Sequence, residues 1–463
     1  MIPLIKGQRK SNYDYRDNLP VNMTAVAGQV EGDTGYLLAH DGLTEFAQTS
    51  GVARGGYFNE RLNMHFRVSG NELESVSASG EVDMLGNIAG QGTVSFAESF
   101  NSLGIVAGGK FYLYDAAGLE EVTDSDLGIP IDVTWFRGIY VLTDGEYLYS
   151  TSLSDETEIR QLDFVSSEFS ADPVKGLLRT DSNQIVAFNR YSTEYFYFDG
   201  NSNVNASPLR VIDGKSNRIG IIGTHCKAFL DGNIFILGGR KDESPSIHIL
   251  NGGSEATIST REIDKIIATY TEAELSGAVL EDRTVDRDKF LIVHLPNHTL
   301  LYNHTIGQSM GTAAAWTYLK SDEDSKWRGK YGVFDPRISK WVYGDTKENK
   351  LAYLDSQSFA QYGVEQEALI YTPIIPAKRI SVNQVQIDTI PGYADPAQSV
   401  AMSISYDAVT WGEEHWSIVS KPDNYNTDYI VRRLGYVSQS FSLRFRFISK
   451  DKMAFSGLTI NDR

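Results

Sequence analysis

At 463 residues the chain exceeds the size at which one hydrophobic core usually stops growing, so two domains or a modular array are expected. A formal net charge of −18 excludes attachment to nucleic acid through broad basic patches, and a lone cysteine, Cys226, excludes an internal disulfide. Gly 41 against Pro 13, with aromatics at 11% of residues, favours tight turns between aromatic strands, and the fold class is read as all-β.

Charge is unevenly placed. From residue 428 to 463 seven Lys or Arg stand against three Asp, a net of +4 that leaves −22 for the residues before. Residues 1–40 read as an extended arm in which Lys6, Arg9, Lys10 and Arg16 are spread among polar residues. Such an arm either frays or pairs with another subunit. Its first apolar run is short and precedes the basic residues, unlike a secretory signal. No later run approaches the about 20 apolar residues of a membrane span. Assembly in a reducing compartment follows, and the sequons at Asn22, Asn297 and Asn303 are not expected to carry glycan.

From residue 41 to 364 short apolar runs alternate with turns. Residues 63–68 turn through Ser69-Gly70-Asn71 into 72–76; 103–107 and 111–114 flank Gly108-Gly109; 138–143 turn at Asp144-Gly145 into 146–150; 184–189 lead to 193–198. The clearest unit comprises 219–226, 234–237 and 247–250, cut apart by Asp231-Gly232 and Gly238-Gly239. After it come 289–295 with 298–302, and 340–343 with 350–354. Runs apolar on successive positions read as strands covered on both faces. Their spacing of ~50 residues is that of propeller blades. A six- or seven-bladed β-propeller is expected, since closing a ring protects sheet edges.

Residues 261–280 break this rhythm: Ile263, Ile266 and Ile267 fall at helical spacing, and Thr271 with Glu274 makes a capping-box pattern. A short helical insertion is expected there, filling a gap between blades or facing a partner. Past residue 364 strict alternation begins, notably in Ser442-Leu-Arg-Phe-Arg-Phe447. Residues 365–463 therefore read as a separate β-sandwich-like domain, with Pro373, Pro376, Pro391 and Pro396 near its start.

Four patterns invite a chemical reading. Gly307-Gln-Ser309-Met-Gly311 fits G-x-S-x-G, but no strand-helix alternation surrounds it, and a Gly-rich loop is expected. His294, His298 and His304 straddle a Pro296-Asn297 turn instead of sharing a helical face, so hairpin histidines are expected. Ser405-Tyr-Asp407-Ala-Val-Thr410-Trp411 is similar to the Asp-box turn of sialidases without its glycine. Asp322-Glu323-Asp324 lacks the spacing of a calcium loop. The chain is read as non-enzymatic, with no catalytic residue, cofactor or metal expected.

In order along the chain stand Leu19-Pro-Val-Asn-Met23, Gly35-Tyr-Leu37, Gly51-Val-Ala-Arg-Gly55, Ile222-Gly-Thr-His-Cys-Lys227 and Tyr270-Thr-Glu-Ala-Glu274 followed by Gly277. Ile292-Val-His-Leu-Pro-Asn-His298, Tyr406-Asp407 with Trp411-Gly412, and Phe441-Ser-Leu-Arg444 through Ser456-Gly457 continue the series. Through these stretches the chain resembles the packaged-DNA stabilisation proteins of short-tailed double-stranded DNA phages, also called tail hubs or tail accessory factors. The resemblance implies a β-propeller with added β structure, carried in the virion tail and assembled in the host cytoplasm. It implies a homohexamer below the head-to-tail adaptor ring, closing and extending the DNA channel with the tail needle after packaging and taking part in genome ejection. Tailspikes or other receptor-binding proteins would attach around it, and packaged duplex would pass without sequence-specific binding. No short motif fixes the contact residues. Arg432, Arg433, Arg444 and Arg446 are expected to dock the terminal domain on an acidic face of a neighbouring subunit or adaptor; solvated strand faces are the alternative. The competing function is a glycan-active or glycan-binding propeller, sialidase- or depolymerase-like, with converging carboxylates.

Overall fold

The computed structural model describes residues 19–28, 35–199, 207–321, 326–377, 379–389, 398–420 and 429–462. Among these, seven antiparallel sheets follow one another between residues 42 and 355. The first consists of Ala53–Asn59, Met64–Ser69, Glu72–Val76 and Val82–Asn87 in chain order, and the pattern recurs in residues 95–122, 132–166, 174–217, 220–257 and 279–319. The seventh combines Gly329–Asp335, Lys340–Asp345 and Lys350–Asp355 with a strand from the far end of the chain. Three strands from that end carry labels below: β1 (Met23–Val26), β2 (Tyr36–Ala39) and β3 (Gly42–Gln48).

Turn chemistry and burial explain why these residues form sheets. Asp231 and Gly232 take φ of 55° and 72°, the pair of left-handed conformations that a two-residue hairpin loop needs between Leu230 and Asn233. Strands such as Leu103–Ala107, Ile139–Thr143, Ile185–Asn189 and Thr299–Asn303 are buried at every position, because each lies between the faces of neighbouring sheets. One predicted strand breaks. Residues 219–226 give only Gly220–Ile221, after which the chain leaves the sheet and returns as Lys227–Leu230 on the same partner, Asn233–Gly239. The excursion lets Gly223 pack directly on the backbone of Ser276, where a Cβ would stand 2.0 Å from the carbonyl oxygen.

The inner strands pack in series and the seventh sheet returns to the first, Gly329–Asp335 against Ala53–Asn59. Buried polar groups lock this ring. Asp132, 2% exposed, accepts from Ser95 Oγ at 2.6 Å, from Leu177 N at 2.7 Å and from Lys227 Nζ at 2.7 Å, so one carboxylate ties the second, third, fourth and fifth sheets. At the seam, Arg67 of the first sheet donates to the carbonyls of Tyr331 and Val342 in the seventh, both at 2.6 Å, and through Nε to His65 Nε2 at 2.8 Å. Gly56 makes room, since a Cβ there would lie 2.6 Å from the Arg67 guanidinium. His65 in turn donates from Nδ1 to Asp335 at 3.1 Å, and Arg337 joins that carboxylate to the Val76 carbonyl. β3 completes the closure by pairing Gly42 with Asp355 through Gln48 with Lys350.

The predicted helical insertion forms α1 (Arg261–Ile267) and α2 (Glu272–Leu275), the second with the expected capping box between Thr271 and Glu274. Val279 and Leu280, included in the predicted segment, instead begin the strand Val279–Val285. Ile263, Ile267 and Leu275 are buried in the core that contains Leu237 and Ile247, so the insertion turns its apolar side to its own chain.

Residues past 364 build a two-sheet sandwich. One sheet holds Gln366–Tyr371, Ser440–Ser449, Gln398–Ser405 and His415–Ser420, with Ile375–Pro376 added to Ser440–Ser449. The alternation seen in the sequence is real: Phe441, Leu443, Phe445 and Phe447 point into the core while Arg444 and Arg446 are half-buried on the other face. Each fully buried Phe contributes about 1.5–3 kcal/mol. Pro391 and Pro396 lie outside the described residues, as do Lys6, Arg9, Lys10 and Arg16.

The second sheet of the sandwich contains the two strands described in the arm, β1 and β2. Its order is β1, β2, Ala454–Asp462, Ile380–Thr389, Tyr429–Val437, with Leu37 paired to Phe455. The described part of the arm thus pairs within its own chain and is not frayed. Val21 exchanges backbone hydrogen bonds with Leu369 of the sandwich at 2.9 and 3.1 Å, and Asn22 N donates to Tyr318 O of the sixth sheet at 2.9 Å. Asn22, in the left-handed conformation at φ 54°, donates its side-chain amide to Lys320 O at 3.0 Å and Glu367 O at 2.8 Å and accepts from Lys320 N at 2.8 Å. One buried side chain joins ring to sandwich.

Replacing Asn22 by Ala leaves those backbone groups unpaired in a dry site, and is expected to cost about 3 kcal/mol of stability in denaturant unfolding. Asn297→Ala, at an exposed turn, is expected to change it by less than about 0.5 kcal/mol.

Acid is expected to weaken the fold before it protonates most carboxylates. Burial and then the Arg283 charge lower the His40 pKa to about 3; burial and then Arg67 lower that of His65 to about 4; loss of surrounding water and then Lys227 lower that of His225 to about 4. Between those values and the ordinary 6.5 the unfolded chain binds protons that the folded one refuses, so stability falls as pH drops from 6.5 towards 4. Asp282, raised to about 6 by loss of surrounding water, opposes this as one group against three. The thermal midpoint should be lower at pH 5 than at pH 7, and His65→Gln should flatten that dependence.

Candidate functional site

Among the described residues, none of the sequence patterns with a chemical reading forms a reactive centre. Ser309 lies in the last turn of α3 (His304–Met310), where its hydroxyl donates to the carbonyls of Thr305 at 3.0 Å and Ile306 at 3.3 Å. The expected Gly-rich loop is therefore a helix, capped by Asn303, whose side chain accepts from Ile306 N at 3.2 Å. Gly307 serves packing, because a Cβ there would stand 2.1 Å from the Tyr302 hydroxyl. A nucleophile elbow needs a strand before the serine and a helix after it; here the helix comes first.

The three histidines go to separate partners. His294 faces Glu281 at 3.4 Å, His298 bonds the Tyr270 hydroxyl, and His304 bonds the Gln308 amide at 2.9 Å. Among the described residues no group of three His, Cys, Asp or Glu side chains gathers as a metal site would require. Asp322-Glu323-Asp324 lies outside the described residues. Asp407 organises a turn: its carboxylate accepts from Thr410 Oγ1 and N at 2.7 Å and from Val409 N and Ser405 Oγ at 2.9 Å, and these bonds hold it below the usual carboxylate range. Ala408 takes φ 57° where a glycine would sit more easily.

The four arginines divide. Arg446 pairs with Glu367 at 2.6 Å and Glu414 at 3.1 Å, and Arg444 with Glu414 at 3.2 Å, all within one sheet face. Arg432 and Arg433 are exposed on Tyr429–Val437, which ends its sheet. Between the pairs Val382 to Gly435 and Gln384 to Arg432 the register slips by one extra residue, with Arg433 at φ 64°. That bulge turns two consecutive arginines outward, where a regular strand would alternate them. Among the described residues neither has an ion-pair partner. Beside them Tyr436 is 59% exposed. The neighbouring strand His415–Ser420, a free edge among the described residues, adds Trp416 and Ile418, both 49% exposed.

A second unusual surface lies between the second and third sheets. Ser99 accepts from Asn101 N at 3.0 Å and Ser102 N at 2.9 Å, forming a tight turn that leaves Phe100 75% exposed, its ring edge-on to Trp135 at 4.9 Å. Leu153 stands across from it, and together with Leu113 and Leu119 they line a groove of about 470 Å³. Asp115, Glu120, Asp155 and Glu156 are its acidic lining, with no ion pair for any of them among the described residues. The guanidinium of Arg179 lies 5.6 Å from the Trp135 ring. Sequence reasoning missed this groove. A large aromatic inside the polar turn Ser99-Phe-Asn-Ser102 is the one signal that pointed to it.

Residues 1–359 match the family described as Bacteriophage P22 Gp10, beta-propeller, and residues 367–462 that described as Bacteriophage P22 Gp10, beta-sandwich. The chain is 29% identical over 479 residues to the tail hub protein gp10 of Salmonella phage P22, covering 99% of this chain and 98% of that one. Solved structures similar to it include a virginiamycin B lyase from Staphylococcus aureus, at TM-score 0.43 and 11% identity over 69% of this chain and 99% of that one. Another is the extracellular domain of a hybrid two component system from B. thetaiotaomicron, at TM-score 0.45 and 9% identity over 90% of this chain and 60% of that one. With a closed ring of sheets leading into a sandwich, and both parts matched in that order, the chain belongs to the bacteriophage P22 Gp10 family.

Proposed function

We propose that this chain is the structural tail hub of a short-tailed phage, standing in the virion tail below the portal-adaptor ring. The observation that carries the reading is the match to a tail hub protein across both domains, from arm to last strand. Six copies form the hub in this reading, the head-to-tail adaptor above and the tail needle below, with tailspikes or other receptor-binding proteins around it. The hub closes and extends the DNA channel after packaging and takes part in genome ejection. A ring locked by Asp132 and Arg67 and fused to its sandwich through Asn22 supports a stiff wall element. The role is mechanical in this reading and asks no reactive group of Ser309, His294 or Asp407, whose contacts are local: hydrogen bonds for Ser309 and Asp407 and the Glu281 carboxylate for His294.

A net charge of −18 supports low adhesion to DNA. An acidic wall repels phosphates over about a Debye length, ~8 Å at physiological salt, so duplex slides past without sticking.

In a phage lacking this chain, heads are expected to fill with DNA and then lose it, giving tailless, non-infectious particles that regain infectivity when purified protein is added. Particles that keep their DNA and infect without the chain would contradict the reading. Purified protein is also expected to show no retention of duplex DNA in mobility-shift assays at moderate salt; tight binding would reject the low-adhesion wall.

A further inference from the structure

We propose that the edge of the sandwich in one copy seats in the groove between the second and third sheets of the next, so that copies join head to tail. The inference deepens the tail-hub reading and rests on it only in expecting several copies. The two surfaces complement each other in chemistry. The sandwich edge offers Trp416, Ile418 and Tyr436, each about half exposed or more, beside the exposed Arg432 and Arg433. The groove offers Phe100 at 75% and Leu153 at 61% exposure inside a rim of four carboxylates. Large apolar side chains held open to water on both surfaces are what a monomer avoids and an interface uses.

Charge selects the occupant. The body of the chain is acidic, with a net of −22 before residue 428, so most of its own surface would be repelled from the groove rim. The segment from residue 428 onward carries the net of +4, and within it Arg444 and Arg446 are already bound to Glu367 and Glu414. Lys452 is likewise bound, to Asp41, and Lys450 is exposed just past the end of Ser440–Ser449, away from residues 432–436 in the chain; Arg432 and Arg433 are the adjacent pair of exposed cations that has Tyr436 beside it and no ion-pair partner among the described residues. Their bulge points both at the same side, which suits a rim with carboxylates on either flank of an apolar floor.

The contact joins two different patches, one in each domain, and so is heterologous: each copy offers one socket and one plug. Such contacts generate a ring when the rotation closes.

The test uses the full chain and reads its association by sedimentation and native mass. Arg432→Glu with Arg433→Glu, or Glu120→Lys with Asp155→Lys, should each weaken self-association at least about tenfold at low salt. All four changes together should restore it, because the charges are then exchanged across the same contact. Thermal midpoints and circular dichroism report that the variants fold. In a second measurement, Leu153→Cys with Trp416→Cys should yield covalently linked multimers under mild oxidation, Cys226 being buried. Wild-type protein that stays monomeric at every concentration, reversals without effect, a combined variant that fails to recover, or no linked multimers would each overturn the interface. None of these results bears on retention of DNA by particles lacking the chain, so this contact fails or stands apart from the tail-hub reading.

Discussion

The architecture depends on the hydrogen bonds of a short segment, Pro20 to Ala25, that belongs by sequence to one end of the chain and by contact to two domains. Its backbone continues the sixth sheet at Tyr318 and the sandwich at Leu369, while Asn22 and Asn303 exchange side-chain bonds with carbonyls across the joint. Backbone polar groups at such a junction would otherwise be buried without partners, at a cost comparable to losing the hydrogen bonds outright. The segment satisfies them, and a single core then runs without a break from Phe235 and Trp316 to Phe445 and Leu458. Two domains that could have hinged are held as one body.

Within the ring the same logic appears with charged groups. Asp132 and Arg67 are buried ions whose desolvation is severe unless every lone pair and proton finds a partner. Both find them on neighbouring sheets, so their satisfaction requires the sheets to be in place. Polar burial here specifies position more than it adds stability. Sheets in the ring protect one another's faces, and β3 closes the last opening. The free edges that remain among the described residues include the sandwich strands His415–Ser420 and Tyr429–Val437.

Much of this was legible in the residues. Turn pairs such as Asp231-Gly232 and Gly108-Gly109, and the alternation in Ser442 to Phe447, carry local signals that no tertiary contact overrides. The capping box of Thr271 and Glu274 is local as well. What escaped was long-range. Nothing in Met23–Val26 or Tyr36–Ala39 states that its partner lies at Ala454–Asp462, and Gly223 gives no sign that it must touch Ser276. The split among the four arginines was equally hidden, because it depends on which face Glu414 and Glu367 share with Arg444 and Arg446. Phe100 escaped for the opposite reason: an exposed aromatic in a turn follows no periodicity.

The pairing of β2 with Ala454–Asp462 and of β3 with Lys350–Asp355 also orders events in time. β3 stays without this partner until residue 350 has been made and β2 until residue 454, and contacts so distant in sequence form slowly. A prematurely terminated chain leaves the sandwich sheet unfinished, and one cut before residue 350 leaves the ring open as well. The two sheets thus close only once residues 350–355 and 454–462 have been made, and the fold itself registers whether synthesis has passed them.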